Sequence, residues 1–174
     1  CLALANYLEK LKAKVIFICR NHYGSSHELV LKQKFGLHLL NGKEDQAISS
    51  KHKDWLGFSQ LQDVSESSIF IDMYPGSHVI VDHYALDCQW ESNINCESMI
   101  VIDDLADRHH KCSLLIDQSL KNTKLNYENL VDGNFDFIGG NLVILREEFS
   151  KERTWKAHGS GKVLICMGGA DPKS

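Results

Sequence analysis

The sequence predicts an α/β fold of the doubly wound, Rossmann-like class, with a mostly parallel sheet and flanking helices. Short apolar runs rich in β-branched residues recur along the chain, as expected for strands buried on both faces of a parallel sheet. Amphipathic stretches separate these runs, which indicates β-α-β units. Several runs also end in a carboxylate, and the carboxyl ends of parallel strands meet at one edge of a sheet.

The first half of the chain predicts a helix followed by alternating strands and helices. Apolar residues from Leu2 to Leu11 follow helical spacing, so the chain opens on a helix. The interval 55–73 fits either a strand or a helix. The remaining elements are predicted as a strand over 15–19, a helix over 28–35 ended by Gly36, a strand over 37–40 and a polar loop over 41–54.

The second half predicts strands that end in acidic side chains. Asp87 is expected to cap a helix that carries Trp90, Ile94 and Cys96. A last strand at 162–166 runs into two glycines. The acidic strand ends are Asp82 after 79–81, Asp103 and Asp104 after 99–102, and Asp117 after 114–116.

Two parts of unequal length are predicted. We expect residues 1–158 to form an N-terminal Rossmann-like domain, and 159–174 to be a linker with the first strand and glycine loop of a second, nucleotide-binding domain. The opening helical pattern has no capping residue, so we expect the domain's first residues to be missing.

Composition narrows the possible partners. The chain has 174 residues, of which 43% are hydrophobic and 24% charged, with a net charge of -4. Nucleic acid is not expected as a partner, since its backbone is bound by clustered Lys and Arg. No apolar run approaches the roughly 20 residues of a membrane span, and no secretory signal is visible.

The six cysteines lack C-x-x-C spacing, so we expect free thiols in the cytoplasm. The oligomeric state is left open.

The densest group of reactive side chains is Val81–Asp87, which reads VDHYALD. Asp82 could orient His83 or act as a base, and His83 titrates near neutrality. Tyr84 could donate a hydrogen bond to developing negative charge. We therefore predict Asp82, His83 and Tyr84 as catalytic residues. The alternative is a loop in which His83 and Tyr84 only pack beneath a helix.

Two arginines and a glycine turn are candidate substrate-binding groups. Arg20 ends a predicted strand, and Arg108 in IDDLADRHH could bind phosphate or pair with Asp104 or Asp107. The turn MGGAD supplies Gly168, Gly169 and Asp171, where backbone N–H groups could approach a phosphate. His109 and His110 are adjacent and no other ligand stands at metal spacing, so neither a metal nor another cofactor is expected.

Taken together, these segments resemble the bacterial nucleotide-sugar hydrolases of pseudaminic acid biosynthesis. The resemblance covers most of the chain, and it is weakest over 41–76. The matching segments are CLALANYL, VIFICR, VDHYALDCQWE, MIVIDDLADRHHKCSLLIDQSL, NYENLV, LREEF and CMGGADPKS.

The resemblance implies a two-domain, GT-B-like fold with the site between the domains. Such enzymes release UDP from a UDP-linked 2,4-diacetamido-2,4,6-trideoxy sugar by attack of water at the anomeric carbon, without a metal. The family's G-x-G-H-x-x-R loop, whose His is the expected base, would stand immediately before Cys1. Because that loop and most of the second domain are not in this sequence, we expect the chain alone to be inactive.

Two other functions remain open from the sequence. A GT-B glycosyltransferase domain would use the same cleft and a UDP-sugar donor, but would pass the sugar to an acceptor. A non-catalytic domain would bind a sugar nucleotide without cleaving it.

Overall fold

A computed structural model describes residues 1–23, 25–43, 51–140 and 142–149. The predicted strand at 162–166 lies outside these residues, as do Gly168, Gly169 and Asp171. The expected division at residue 158 therefore stays a prediction.

The N-terminal part forms a small parallel β-α-β unit. Helix α1 (Leu2–Lys10) precedes strand β1 (Ile16–Asn21), helix α2 (His27–Lys32) and strand β2 (Gly36–Asn41). Strands β1 and β2 pair in parallel, with Ile16 opposite Gly36. Ala5, Val30 and Phe35 form a small core beneath this pair. The opening helix and both strands were predicted, with each strand one or two residues longer than expected.

The second part is a four-stranded sheet in which every neighbouring pair is parallel. Its strands lie in chain order: β3 (His78–Val81), β4 (Ser98–Ile102), β5 (Leu114–Asp117) and β6 (Asp136–Gly139). The intervening helices are α3 (Gln60–Ile71) before β3, α4 (Cys88–Glu91) before β4 and α5 (Lys124–Tyr127) before β6. Single 3₁₀ turns occur at His52–Asp54 and Glu147–Phe149. The α/β prediction with parallel strands is confirmed.

The single predicted sheet is divided in the described part of the chain, where β1 pairs with β2 and the other strands form a separate sheet. Ile18 of β1 nevertheless packs against the main core. That core includes side chains of the four-stranded sheet and is centred on Val101 and Leu115, which are 1% and 0% exposed. The larger sheet therefore holds most of the buried apolar surface.

Asp63 ties helix α3 to β1 and α4. Its Oδ2 accepts from Nε of Arg20 at 2.6 Å, and its Oδ1 accepts from the indole N–H of Trp90 at 2.8 Å and from Ser67 Oγ at 3.0 Å. The side chains of Arg20 and Asp63 are only 5% and 6% exposed. A buried ion pair of this kind fixes the relative position of its elements, because separating the partners would leave an uncompensated charge.

No helix in the described ranges is both long and apolar enough to cross a membrane.

Five cysteines lie in the described ranges, and each is a free thiol: Cys1, Cys19, Cys88, Cys96 and Cys112. Cys166 lies outside them, so the expectation of six free thiols stays a prediction.

Candidate functional site

Three carboxylates lie at the same edge of the larger sheet. Asp82 follows β3, Asp103 follows β4, and Asp117 is the last residue of β5. Because these neighbouring strands are parallel, their carboxyl ends meet, as the sequence predicted. Their exposure differs, however, and this separates structural from accessible groups.

Asp103 and Asp117 are buried, being 1% and 0% exposed. The hydroxyl of Tyr127 donates to Oδ2 of Asp117 at 2.8 Å and lies 3.2 Å from Oδ2 of Asp103. Asp117 also accepts from the backbone N–H of Ser119 and from Asn122. Although burial raises the pKa of Asp117, these hydrogen bonds together hold it below its usual value. Both carboxylates thus form the supporting wall of the site.

The loop after β4 is built on Asp103. Its Oδ2 accepts from the backbone N–H of Ala106, which has a left-handed φ of 50°. Arg108 Nη1 lies 2.6 Å from Oδ1 of Asp103, and Arg108 Nε donates to the carbonyl of Leu86. Arg108 also pairs with Asp107. The arginine therefore closes the loop 103–108 onto the segment after β3.

His110 and Glu91 connect that loop to helix α4. Nδ1 of His110 lies 2.7 Å from Oε1 of Glu91, and the other glutamate oxygen accepts from the backbone N–H of Lys111. Both side chains are fully buried. Among the described residues, no group of three or more His, Cys, Asp or Glu side chains is arranged to hold a metal ion.

Of Asp82, Asp103 and Asp117, only Asp82 is accessible, with 43% of its side chain exposed. Its Oδ2 accepts from the thiol of Cys1 at 2.8 Å and from the amino group of Cys1 at 3.2 Å. No hydrogen bond joins Asp82 to His83 in the described part of the chain. The predicted orienting role of Asp82 towards His83 thus has no contact to support it. Its carboxylate is partly exposed and is held by Cys1.

His83 is held by its own turn. Its Nδ1 accepts from the backbone N–H of Ala85 at 3.0 Å, so the neutral ring carries its proton on Nε2. Within the described ranges Nε2 has no hydrogen-bond partner. Burial lowers the pKa of His83 and outweighs the opposing negative charge of Asp63, while the positive charge of Arg108 also lowers it. The ring can therefore offer one N–H donor to a ligand.

Tyr84 points its hydroxyl at Asp104, donating to Oδ1 at 2.8 Å. Burial and this carboxylate raise the pKa of Tyr84 to about 12, so the phenol stays protonated at neutral pH. Its ring stacks on His52 at a centroid distance of 5.1 Å and lies 5.9 Å from Trp55. The guanidinium of Arg108 lies 6.0 Å from the same ring.

Arg20 is placed differently from Arg108. Besides Asp63, it donates to Glu66 at 2.7 Å and to the carbonyl of Asn41 at 2.8 Å, and it lies over the ring of Phe58. Most of its hydrogen-bonding capacity is therefore used inside the protein. Its predicted contact with substrate stays a prediction.

Sequence reasoning identified the Asp82–Tyr84 cluster but did not assign Asp104, His52 or Trp55 to it. Asp104 was noted only as one of two acidic residues after a strand and as a possible partner of Arg108. His52 lies in a stretch interpreted as polar loop, and Trp55 next to it. The only signal was a pair of aromatic rings in the otherwise charged segment KHKDW.

Comparisons with known proteins give a distant relative. A UDP-2,4-diacetamido-2,4,6-trideoxy-beta-L-altropyranose hydrolase of Campylobacter jejuni is 31% identical over 100 residues. The aligned part covers 55% of this chain and 36% of the relative. No protein-family model matches the chain. No solved structure matches it either.

Proposed function

We propose that this chain forms one wall of the active site of an enzyme that hydrolyses a UDP-linked 2,4-diacetamido-2,4,6-trideoxy sugar and releases UDP. The observation that carries this proposal is the 31% identity to a hydrolase of that class. The accessible groups at the carboxyl edge of the sheet support it, because small ligands bind at that edge in open parallel sheets.

Hydrolysis places water on the anomeric carbon and breaks that carbon's bond to the phosphate oxygen, which leaves with the electron pair. Positive charge develops on the sugar ring during this step, as in other glycosyl cleavages. Asp82 is an exposed carboxylate directly after β3, so we assign it the role of stabilising this positive charge. His83 is neutral, and we assign its Nε2–H as a hydrogen-bond donor to a ligand oxygen.

The nucleotide would be held largely by groups beyond this wall. Gly168, Gly169 and Asp171 are proposed to contact the UDP from a second domain, and Arg108 from the first. Arg108 has 14% of its side chain exposed, and we assign a phosphate oxygen to its guanidinium.

The test is UDP release by the full-length protein from this UDP-sugar, with and without an added acceptor. Release that needs no acceptor is expected. Release only with an acceptor would indicate a glycosyltransferase, and binding without release would indicate a non-catalytic domain; either outcome would reject the proposal.

A variant localises the chemistry. We expect Asp82→Asn to slow UDP release about 100-fold, since preorganised charge at a reacting centre is worth that much or more. Asp132→Asn is the matched control, because Asp132 is an exposed aspartate outside the candidate site. Equal rates for the wild type and Asp82→Asn would remove Asp82 from the mechanism.

A further inference from the structure

Tyr84 has one hydroxyl proton, and that proton is directed at Asp104. A phenol that donates to a carboxylate can still accept a hydrogen bond through its oxygen. It cannot donate to a second group without breaking the first bond. The sequence-based expectation, in which Tyr84 donates to developing negative charge, requires that proton to be free.

We propose that Tyr84 acts as a hydrogen-bond acceptor for an acetamido N–H of the sugar, and that Asp104 is the positioning residue that fixes this polarity. The proposal rests on the proposed function for its ligand. It adds which chemical group of the sugar is recognised and which way the hydrogen bond runs.

Asp104 is well suited to fix the polarity of Tyr84. An ionised carboxylate only accepts hydrogen bonds, so it holds the phenol in the donating orientation. The Asp104 carbonyl accepts from Nδ2 of Asn122 at 3.1 Å, and that same nitrogen donates to the buried Asp117. The preceding residue, Asp103, donates its backbone N–H to Ile116 of β5. The backbone of Asp104 is therefore anchored on both sides.

The ligand's chemistry limits what Tyr84 can accept from. A 2,4-diacetamido-2,4,6-trideoxy sugar, linked to UDP through its anomeric oxygen, offers three ring donors: two acetamido N–H groups and the hydroxyl on C3. An amide N–H only donates, so it is matched by a group that only accepts. A hydroxyl would fit a tyrosine of either polarity and would need no Asp104.

The surroundings of Tyr84 suit the rest of an acetamido group. His52 and Trp55 lie 4.7 Å apart at their ring centroids, and both adjoin the tyrosine ring. Trp55 is 39% exposed, so part of its indole is open to a ligand. An acetyl methyl packed on these rings would bury apolar surface.

The experiment compares the ligand's N–H with an oxygen at the same place. The probes are phosphonate analogues of the UDP-sugar in which a methylene replaces the anomeric oxygen, so that they cannot be hydrolysed. One probe keeps both acetamido groups, and two others carry an acetoxy group at C2 or at C4. Calorimetry measures their dissociation constants with the full-length protein.

We expect the wild type to bind the diacetamido probe about tenfold more tightly than one of the two acetoxy probes. This difference corresponds to the loss of one hydrogen bond, because the acetoxy oxygen would face the phenol oxygen without a proton between them. Tyr84→Phe should bind the diacetamido probe and that acetoxy probe equally. Asp104→Asn keeps an acceptor for the phenol and should retain most of the discrimination, whereas Asp104→Ala should lose it because the phenol proton is then free to meet the acetoxy oxygen.

Equal binding of all probes by the wild type would overturn the proposal, as would full discrimination by Tyr84→Phe. Discrimination retained by Asp104→Ala would overturn the part played by Asp104. These results do not depend on catalysis, so a protein that binds the probes as expected but releases no UDP would reject the proposed function alone.

Discussion

His83 shows how a single backbone contact decides what a reactive side chain can do. The N–H of Ala85 occupies Nδ1, and the remaining nitrogen carries the ring proton. We predict that His83 is the neutral Nε2–H tautomer at pH 7, which nitrogen-15 NMR of the labelled protein would detect. An imidazolium signal from His83 at pH 7 would contradict this.

The lowered pKa of His83 has a consequence for stability. The unfolded chain takes up a proton near the ordinary value of 6.5, whereas the folded protein takes it up only at lower pH. The free energy of unfolding therefore decreases as the pH falls below about 6.5. We expect His83→Gln to lose less stability than the wild type between pH 7 and pH 5 in urea unfolding. His109→Gln, which removes an exposed histidine, is the control.

Thiol reactivity should separate the cysteines. Burial raises the pKa of Cys112 to about 12, so almost no thiolate is present at pH 8. Cys1 is exposed and lies against Asp82. We expect iodoacetamide to modify Cys1 in the folded protein and Cys112 only after unfolding, as measured by peptide mass spectrometry. Modification of Cys112 at the rate of Cys1 would argue against the buried position.

At this scale the sequence predicted which residues lie at the carboxyl edge of the sheet better than it predicted their hydrogen-bond partners. Asp82, His83 and Tyr84 follow a buried strand, and chain geometry alone brings them to the sheet edge. The burial of Asp103 and Asp117 depends on Tyr127, which comes from another element and carries no local signal. The direction of a hydroxyl proton is likewise set by the folded neighbour, here Asp104.

Helix α5 contributes to the site through one buried hydroxyl. Tyr127 is 0% exposed and joins the ends of β4 and β5 through Asp103 and Asp117. Tyr127→Phe would leave these carboxylates without that donor, so we expect the protein to lose about 2 kcal/mol of unfolding free energy. Tyr7→Phe is the matched control, since Tyr7 is 62% exposed.

Urea denaturation of both variants measures the difference. A Tyr127→Phe protein as stable as the wild type would mean that water replaces the phenol at the two carboxylates.

Helices α3 and α4 settle two points of the sequence analysis. The interval 55–73 had both helical and strand-like spacing, and helix α3 (Gln60–Ile71) formed there, with Ser59 accepting from Gln62 at its start. Asp87 caps α4 as predicted. That helix ends after one turn at Glu91, so Ile94 and Cys96 lie beyond it, which corrects the predicted extent.

The two sheets should differ in how readily they open. Strands β4 and β5 contain the most buried apolar side chains, Val101 and Leu115, whereas β1 and β2 have mostly half-buried ones. We expect hydrogen–deuterium exchange, followed by mass spectrometry, to be slowest in β4 and β5 and faster in β1 and β2. Equal protection would show that the two sheets open as one cooperative unit.

For the molecule as a whole, the α/β class was predictable because buried parallel strands produce continuous apolar runs. The division into two sheets was not, because apolar runs do not specify which strand pairs with which. The helix and both strands of the first unit were recognised, yet β6 (Asp136–Gly139) was missed. Only Phe137 and Ile138 mark that strand in the sequence.

The neighbouring residues Asp103 and Asp104 have different roles. Asp103 is buried in the wall of the site, whereas Asp104 accepts a hydrogen bond from Tyr84. Substitutions at these adjacent codons should therefore produce different phenotypes in cells. Asp103→Ala should lower the amount of protein that accumulates, because an arginine and a tyrosine lose a buried partner. Asp104→Ala should leave abundance intact and change only which sugars are accepted. Quantitative blotting beside an activity assay would distinguish a folding lesion from a recognition lesion one residue apart.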